Sequence, residues 1–99
     1  MNMQNLMAQA QKMQRDIAKK KEEIDKKLFP GKSEWVELVF NGKKELVSIT
    51  IDKNKEITSE EDVEVLEDMI KIAVKDALNK VDEETESEMG AYGSLGGLM

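Results

Sequence analysis

Apolar side chains recur at steps of three and four at the start of the chain: Met3, Leu6, Met7, Ala10, Met13, Ile17, Ile24 and Leu28, with no Gly or Pro across 3–28. That spacing predicts an amphipathic helix over 3–28, about seven turns long. At about 100° per residue the apolar positions form one stripe, and Lys12, Arg15, Lys19 and Lys26 gather on the opposite side. Lys20 and Lys27 border the stripe, so the seam narrows toward the second half and one side of the helix is expected to stay wet.

The period then changes. FPGKSE is expected to end the helix, because Pro30 disfavours helical geometry at Phe29 and Gly31 favours a turn. Two runs rich in β-branched and aromatic residues follow, WVELVF and LVSITI, separated by Asn41-Gly42, the favoured centre of a type I′ hairpin turn. They predict antiparallel strands over 34–41 and 44–52. With a two-residue loop Val36 would stand opposite Val47, and Val36, Leu38, Phe40, Val47, Ile49 and Ile51 would share one face. The other face carries Trp35, Val39 and Leu46 among Glu37, Lys44, Ser48 and Thr50. A lone hairpin is marginal in water, so helices must cover one face and more sheet or a second copy must meet the remainder. Trp35, Val39 and Leu46 are assigned to a dimer interface on this ground.

Helical spacing returns after Asp52-Lys53-Asn54-Lys55. Thr58 with Glu61 and Ser59 with Asp62 both have capping-box spacing, and the acids of TSEED suit the positive end of a helix dipole. A helix is expected over 59–88, with Val63, Leu66, Met69, Ile70, Ala73, Val74, Ala77, Leu78 and Val81 forming a broader apolar face than that of the first helix. Past Val81 the apolar content falls away in DEETESEM. Residues 90–99, GAYGSLGGLM, hold four glycines in ten and are expected to form a flexible tail. The pattern as a whole predicts one α+β domain over 1–89: a long N-terminal helix, an antiparallel hairpin or sheet, and a long C-terminal helix.

Composition narrows the picture. A chain of 99 residues with one Trp, one Tyr and two Phe must build its core from aliphatic and Met side chains. So small a core favours helix packing or association with a second copy. There is no Cys and no His, which removes disulfides, thiolate nucleophiles, the Cys and His metal ligands and the commonest general base near neutral pH. No apolar run approaches the roughly 18 to 20 residues of a membrane span, and the first residues lack the basic start and apolar block of a secretory signal. A cytoplasmic protein with no membrane partner is expected.

The net charge of −6 is unevenly spread. Residues 1–28 carry seven cations against four anions, residues 29–57 five of each, and residues 58–99 three lysines against twelve acids. An acidic total can therefore hide a local basic surface. On one helix face, cations three, four and seven apart meet successive phosphates without crowding, which makes Lys12, Arg15, Lys19 and Lys26 candidates for anion binding. An ordinary solvated helix back explains the same residues, since Asp16 precedes Lys20 by four and Glu22 and Glu23 precede Lys26 and Lys27 by four. Met3, Met7 and Met13 make either an adaptable protein-binding stripe or plain helix packing. The carboxylates lie on solvated turns, and the cluster Asp82, Glu83, Glu84, Glu86 and Glu88 lacks a loop that would gather oxygens around one ion. No enzyme activity, cofactor, metal site or small-molecule substrate is expected.

Three strings, NLMAQAQKMQ, VELVFNGKKELVSITID and LEDMIKIAVKDALNKVDEE, the last followed by a Met- and Gly-rich tail, resemble in this order the YbaB/EbfC family of bacterial nucleoid-associated proteins. The likeness spans nearly the whole chain. It departs at PGKSEW, where family members usually carry a glycine-rich run and this chain has only Gly31, with Trp35 available to fill the space. The resemblance implies a homodimer whose sheets join at the centre and whose long helices project as arms. It also implies binding of double-stranded DNA with little sequence preference, in the nucleoid. Helical geometry, not a family motif, selects Lys12, Arg15, Lys19 and Lys26 as the DNA contacts. The alternative is a protein-interaction adaptor with no direct DNA role, gripping a partner through its Met-bearing helix or its tail.

Overall fold

A computed structural model describes residues 2–96, with side chains through residue 90. Five elements follow one another: α1 (Met3–Lys26), β1 (Leu28–Lys32), β2 (Val36–Asn41), β3 (Leu46–Ile51) and α2 (Glu60–Gly96). The architecture is α+β, with a three-stranded antiparallel sheet in the order β1-β2-β3 between two long helices. The molecule measures 71 × 19 × 14 Å and its Cα radius of gyration is 19.6 Å, against about 13 Å for a compact domain of this length. Much of its helix therefore lies outside any central core.

Helix α1 starts at Asn2, whose side chain accepts a hydrogen bond from the Gln4 N–H at 3.0 Å. It stops at Lys26, two residues before the expected end, because Leu28 already pairs in a sheet. The segment read as a turn is strand β1. Phe29 pairs with Phe40, Pro30 with Val39 and Gly31 with Leu38. Proline is tolerated there because β1 is an edge strand and the missing N–H would have faced away from the sheet. The outer edge of β1 is also occupied. The Lys32 N–H donates to Asp76 Oδ2 at 3.0 Å, and Lys80 Nζ donates to the Pro30 carbonyl at 2.8 Å while standing 3.5 Å from Asp76.

Strands β2 and β3 form the expected hairpin in a different register. Val36 stands opposite Ile51, not Val47, and Leu38 opposite Ile49. The loop is longer than Asn41-Gly42: the Asn41 N–H donates to the Glu45 carbonyl and the Lys44 N–H to the Asn41 carbonyl, both at 3.0 Å. Lys44 has φ 64°. This is the three-residue loop in which a left-handed residue closes the turn. Asn41 opens it, its side-chain oxygen accepting from the N–H groups of Lys43 and Glu45. A bulge follows, so that Phe40 faces Leu46 while Val39 faces Ser48. Leu46 is thereby opposite Phe40 and not on the Val39 side, where strict alternation had placed it.

Helix α2 begins in the expected capping box. The Asp62 N–H donates to Ser59 Oγ at 3.1 Å, and the Ser59 and Thr58 N–H groups donate to Asp62 Oδ2 at 3.2 and 3.1 Å. The helix continues through Gly96, beyond the expected end at 88. No proline interrupts this stretch, and Met89 is buried against α1 in the turn before it. Helical backbone thus takes up most of the segment expected to be a flexible tail, whose last three residues lie outside those described.

Two apolar clusters hold the elements together. Val36, Leu38 and Phe40 of β2 pack on Ala73 and Ala77 of α2, flanked by Trp35, Leu66, Met69, Ile70, Val74 and Leu78. Ile24, Phe29, Val81 and Met89 form the second, where α1 crosses α2, with Ile17 at its margin. Helix α2 covers β1 and β2 but makes no contact with β3 among the described residues. Every residue of β3 is exposed, although Val36 and Leu38 beside it are fully buried.

Candidate nucleic-acid interface

The outer part of α1 is a bare rod. Residues 2–15 are all exposed, and no carboxylate stands in its first turn. Gln, Met, Ala and Lys sustain the helix without tertiary cover, since all are good helix formers. Lys12, Lys19 and Lys26 recur every seven residues, so they share one line along the helix about 10 Å apart. Arg15 lies between the first two on a neighbouring line. Lys12, Arg15 and Lys19 are exposed and form no ion pair among the described residues. Lys26 is engaged within its own helix, its Nζ 3.1 Å from Glu22 Oε1, with both side chains exposed. An exposed pair of this kind is weak and yields to a better anion.

A second row of cations has a different fate. Lys20 and Lys27 stand one residue further round α1, on the side facing the last turns of α2. Lys20 Nζ lies 3.1 Å from Glu88 Oε2, Lys27 Nζ bonds Glu84 Oε2, and Lys44 Nζ, from the hairpin loop, lies 3.0 Å from Asp82 Oδ1. The hydrogen bond that Lys27 donates to Glu84 raises its ammonium above the ordinary 10.5, against a smaller opposing effect of desolvation. Helix α1 thus carries an open basic line and a neutralised one. Helical spacing set Lys20 and Lys27 beside the apolar stripe and apart from the other four, but it could not show that they are neutralised, because their partners come from α2. The only linear sign was the excess of acid in 82–88.

The residues assigned to a dimer interface are not gathered in one patch. Trp35 is half-buried against the main core cluster, with Lys55 Nζ 5.1 Å over its ring. Val39 is half-buried at the centre of the sheet, and Leu46 is exposed at the edge. What links them is β3. The Asp52 N–H donates to the Trp35 carbonyl at one end of it, and Leu46 begins the other. Along β3 the exposures of Leu46, Val47, Ile49 and Ile51 are 52%, 53%, 46% and 37%. Val47, Ile49 and Ile51 were expected on one face with Val36, Leu38 and Phe40, and Leu46 on the other with Trp35 and Val39.

A cleft of about 420 Å³ between α1, α2 and the hairpin loop is walled largely by Ile17, Ile24, Val81 and Met89. Among the described residues no cluster of carboxylates could hold a metal ion, and no helix is long and apolar enough to cross a membrane.

A sequence profile of the YbaB/EbfC DNA-binding family matches residues 1–97. A nucleoid-associated protein of Streptococcus equi subsp. zooepidemicus is 43% identical over 92 residues, 93% of each chain. One from Enterococcus faecalis is 38% identical over 91 residues, 92% of this chain and 88% of its own. The crystal structure of an uncharacterized protein from Helicobacter pylori superposes with a TM-score of 0.72 at 26% identity, covering 97% of this chain and 99% of the other. Sequence and fold agree along the whole length, arms and sheet alike: the chain belongs to the YbaB/EbfC DNA-binding family.

Proposed function

We propose that this protein is a homodimer that binds double-stranded DNA with little sequence preference, as a nucleoid-associated protein of the cytoplasm, and catalyses no reaction. The observation that carries the reading is the open basic line of α1: Lys12, Arg15 and Lys19 exposed on one face without carboxylate partners among the described residues, with Lys26 continuing it. The relatives' names support nucleic acid as the anion. Lysine and arginine on a smooth helix face meet phosphate, and phosphate contacts carry no sequence information, which supports relaxed specificity. The acidic α2 keeps the particle soluble and turns DNA toward α1.

Pairing of two copies is supported by β3, an apolar edge strand with no neighbour on its outer side among the described residues. A second β3 laid against it would bury Leu46, Val47, Ile49 and Ile51 and extend the sheet, with Trp35 and Val39 flanking the joint. The test is a gel shift with random duplex DNA at two salt concentrations, beside a sizing measurement. The reading expects a dimer whose affinity falls steeply with salt, at a log–log slope of about −0.9 per phosphate neutralised. No shift at low salt, or binding indifferent to salt, would sink it.

One observation favours an adaptor role. Met3, Leu6 and Met7 are 74%, 46% and 59% exposed at the arm's free end, and such a stripe suits a protein partner. That reading expects a co-purifying protein lost when the three are replaced by Gln, with DNA binding absent.

A further inference from the structure

Resting on the DNA-binding reading, we propose that the last turns of α2 act as an internal competitor for phosphate, holding Lys20, Lys27 and Lys44 against Glu88, Glu84 and Asp82 so that these cations do not contribute to DNA binding. Three observations meet here. The cations come from two elements, α1 and the hairpin loop, yet all pair with α2 within a seven-residue stretch, Lys20 and Lys27 with Glu88 and Glu84 on one flank of the helix and Lys44 with Asp82 on another. An apolar contact already joins the helices at the same place, where Ile24, Val81 and Met89 are buried, at 4%, 1% and 8% exposed. The pairs remain partly open to solvent, with side-chain exposures from 28% to 62%, so phosphate could reach these cations once the carboxylates no longer compete.

The arrangement sets affinity from within. Cations of the open line meet DNA at once, whereas each paired cation must first give up a carboxylate whose charge then faces the incoming phosphate. Removing those carboxylates should release three cations per subunit to the polyanion. The raised basicity of Lys27 beside Glu84 is consistent with how fully that cation is held.

The test compares the full chain with a variant carrying Asp82→Asn, Glu84→Gln and Glu88→Gln, and with a charge-matched control carrying Glu61→Gln, Glu64→Gln and Asp68→Asn at the far end of α2. Random duplex DNA is the probe, titrated over a salt series, and circular dichroism checks the fold. The first variant should bind at least about tenfold tighter, with its salt slope steeper by up to about 2.7 per subunit, from three contacts at 0.9 each. The control should gain far less. Should the first variant fail to fold, Glu84→Gln and Glu88→Gln are tested singly for smaller gains of the same sign. In the unaltered protein, Lys20→Gln, Lys27→Gln and Lys44→Gln together should leave affinity nearly unchanged; added to the first variant, they should erase its gain. Equal gains in both acid variants, no gain in the first, or a large loss on removing the three lysines from the unaltered protein would overturn the proposal. Unaltered protein that binds DNA while the first variant shows no gain sinks this inference alone; absence of binding in every variant sinks the DNA reading with it.

Discussion

Two glycines show how much a single missing side chain can decide. A Cβ at Gly31 would lie 2.0 Å from the Ala73 carbonyl oxygen and 2.8 Å from the Ala77 Cβ and backbone N. Strand β1 reaches α2 only because nothing stands between their backbones. At Gly42 a Cβ would lie 1.9 Å from the Ile24 carbonyl oxygen, so the hairpin loop touches the end of α1 in the same way. Gly31→Ala and Gly42→Ala should each destabilise the fold by about 1–3 kcal/mol or more, since backbone atoms cannot swing aside. Leu38→Ala, which empties a fully buried site, should cost about 2–5 kcal/mol. Urea unfolding measures all three. Both glycines were read as local turn signals; Gly42 does lie in the hairpin turn and Gly31 lies in a strand, and each is also held to glycine by close contact with a helix well separated from it in the chain. The left-handed residue of the loop is Lys44, which no propensity would have selected.

At the level of elements, what could be read depended on whether the cause was local. The start of α2 was legible because the capping box lies within four residues. Ser59→Ala should cost about 1 kcal/mol. The Thr58 N–H, and after it the Ser59 hydroxyl, hold the Asp62 carboxyl below its ordinary 3.8. Its folded value being lower than its unfolded one, the unfolded chain binds more protons in that window, and stability rises with pH across it. The contribution is complete above 3.8 and is lost as pH falls through the depressed folded value. The stability gap between wild type and Asp62→Ala, followed by urea melts, should be constant near neutral pH and narrow below 3.8. Strand β1 was not legible. Its five residues include Pro30 and Gly31, and only the edge position and the closeness of α2 make them a strand. The hairpin was legible as a hairpin, but its register was not, because the three-residue loop and the bulge after it displace every pair from the two-residue solution.

For the whole molecule, the basic and apolar stripes of α1 followed from helical spacing, but the bare first half did not: the seam was expected to narrow toward the second half, whereas residues 2–15 are exposed all round and the contact with α2 is made near Ile17 and Ile24. The two lysine rows were already distinct by spacing, but that one of them is neutralised could be seen only once α2 lay beside α1. Lys12→Gln, Arg15→Gln and Lys19→Gln should each weaken binding of random duplex DNA and flatten the log–log salt slope by about 0.9 per contact, without shifting the unfolding midpoint. On the proposed pairing through β3, Ile49→Lys, at the middle of that strand, should run as a monomer on a sizing column where the unaltered protein runs as a dimer, while secondary structure by circular dichroism is kept. If the sizes coincide, the joint lies elsewhere.

The two borders of the sheet differ in a way that limits assembly. Along β1 the backbone is already engaged by Asp76 and Lys80 of α2 and lacks an N–H at Pro30; along the outer side of β3 no strand pairs with it among the described residues. Each subunit is thus monovalent for strand pairing. On the proposed pairing, two subunits that have met could not recruit a third by that route, so growth would terminate short of the ribbons and fibrils that chains with two sticky borders form.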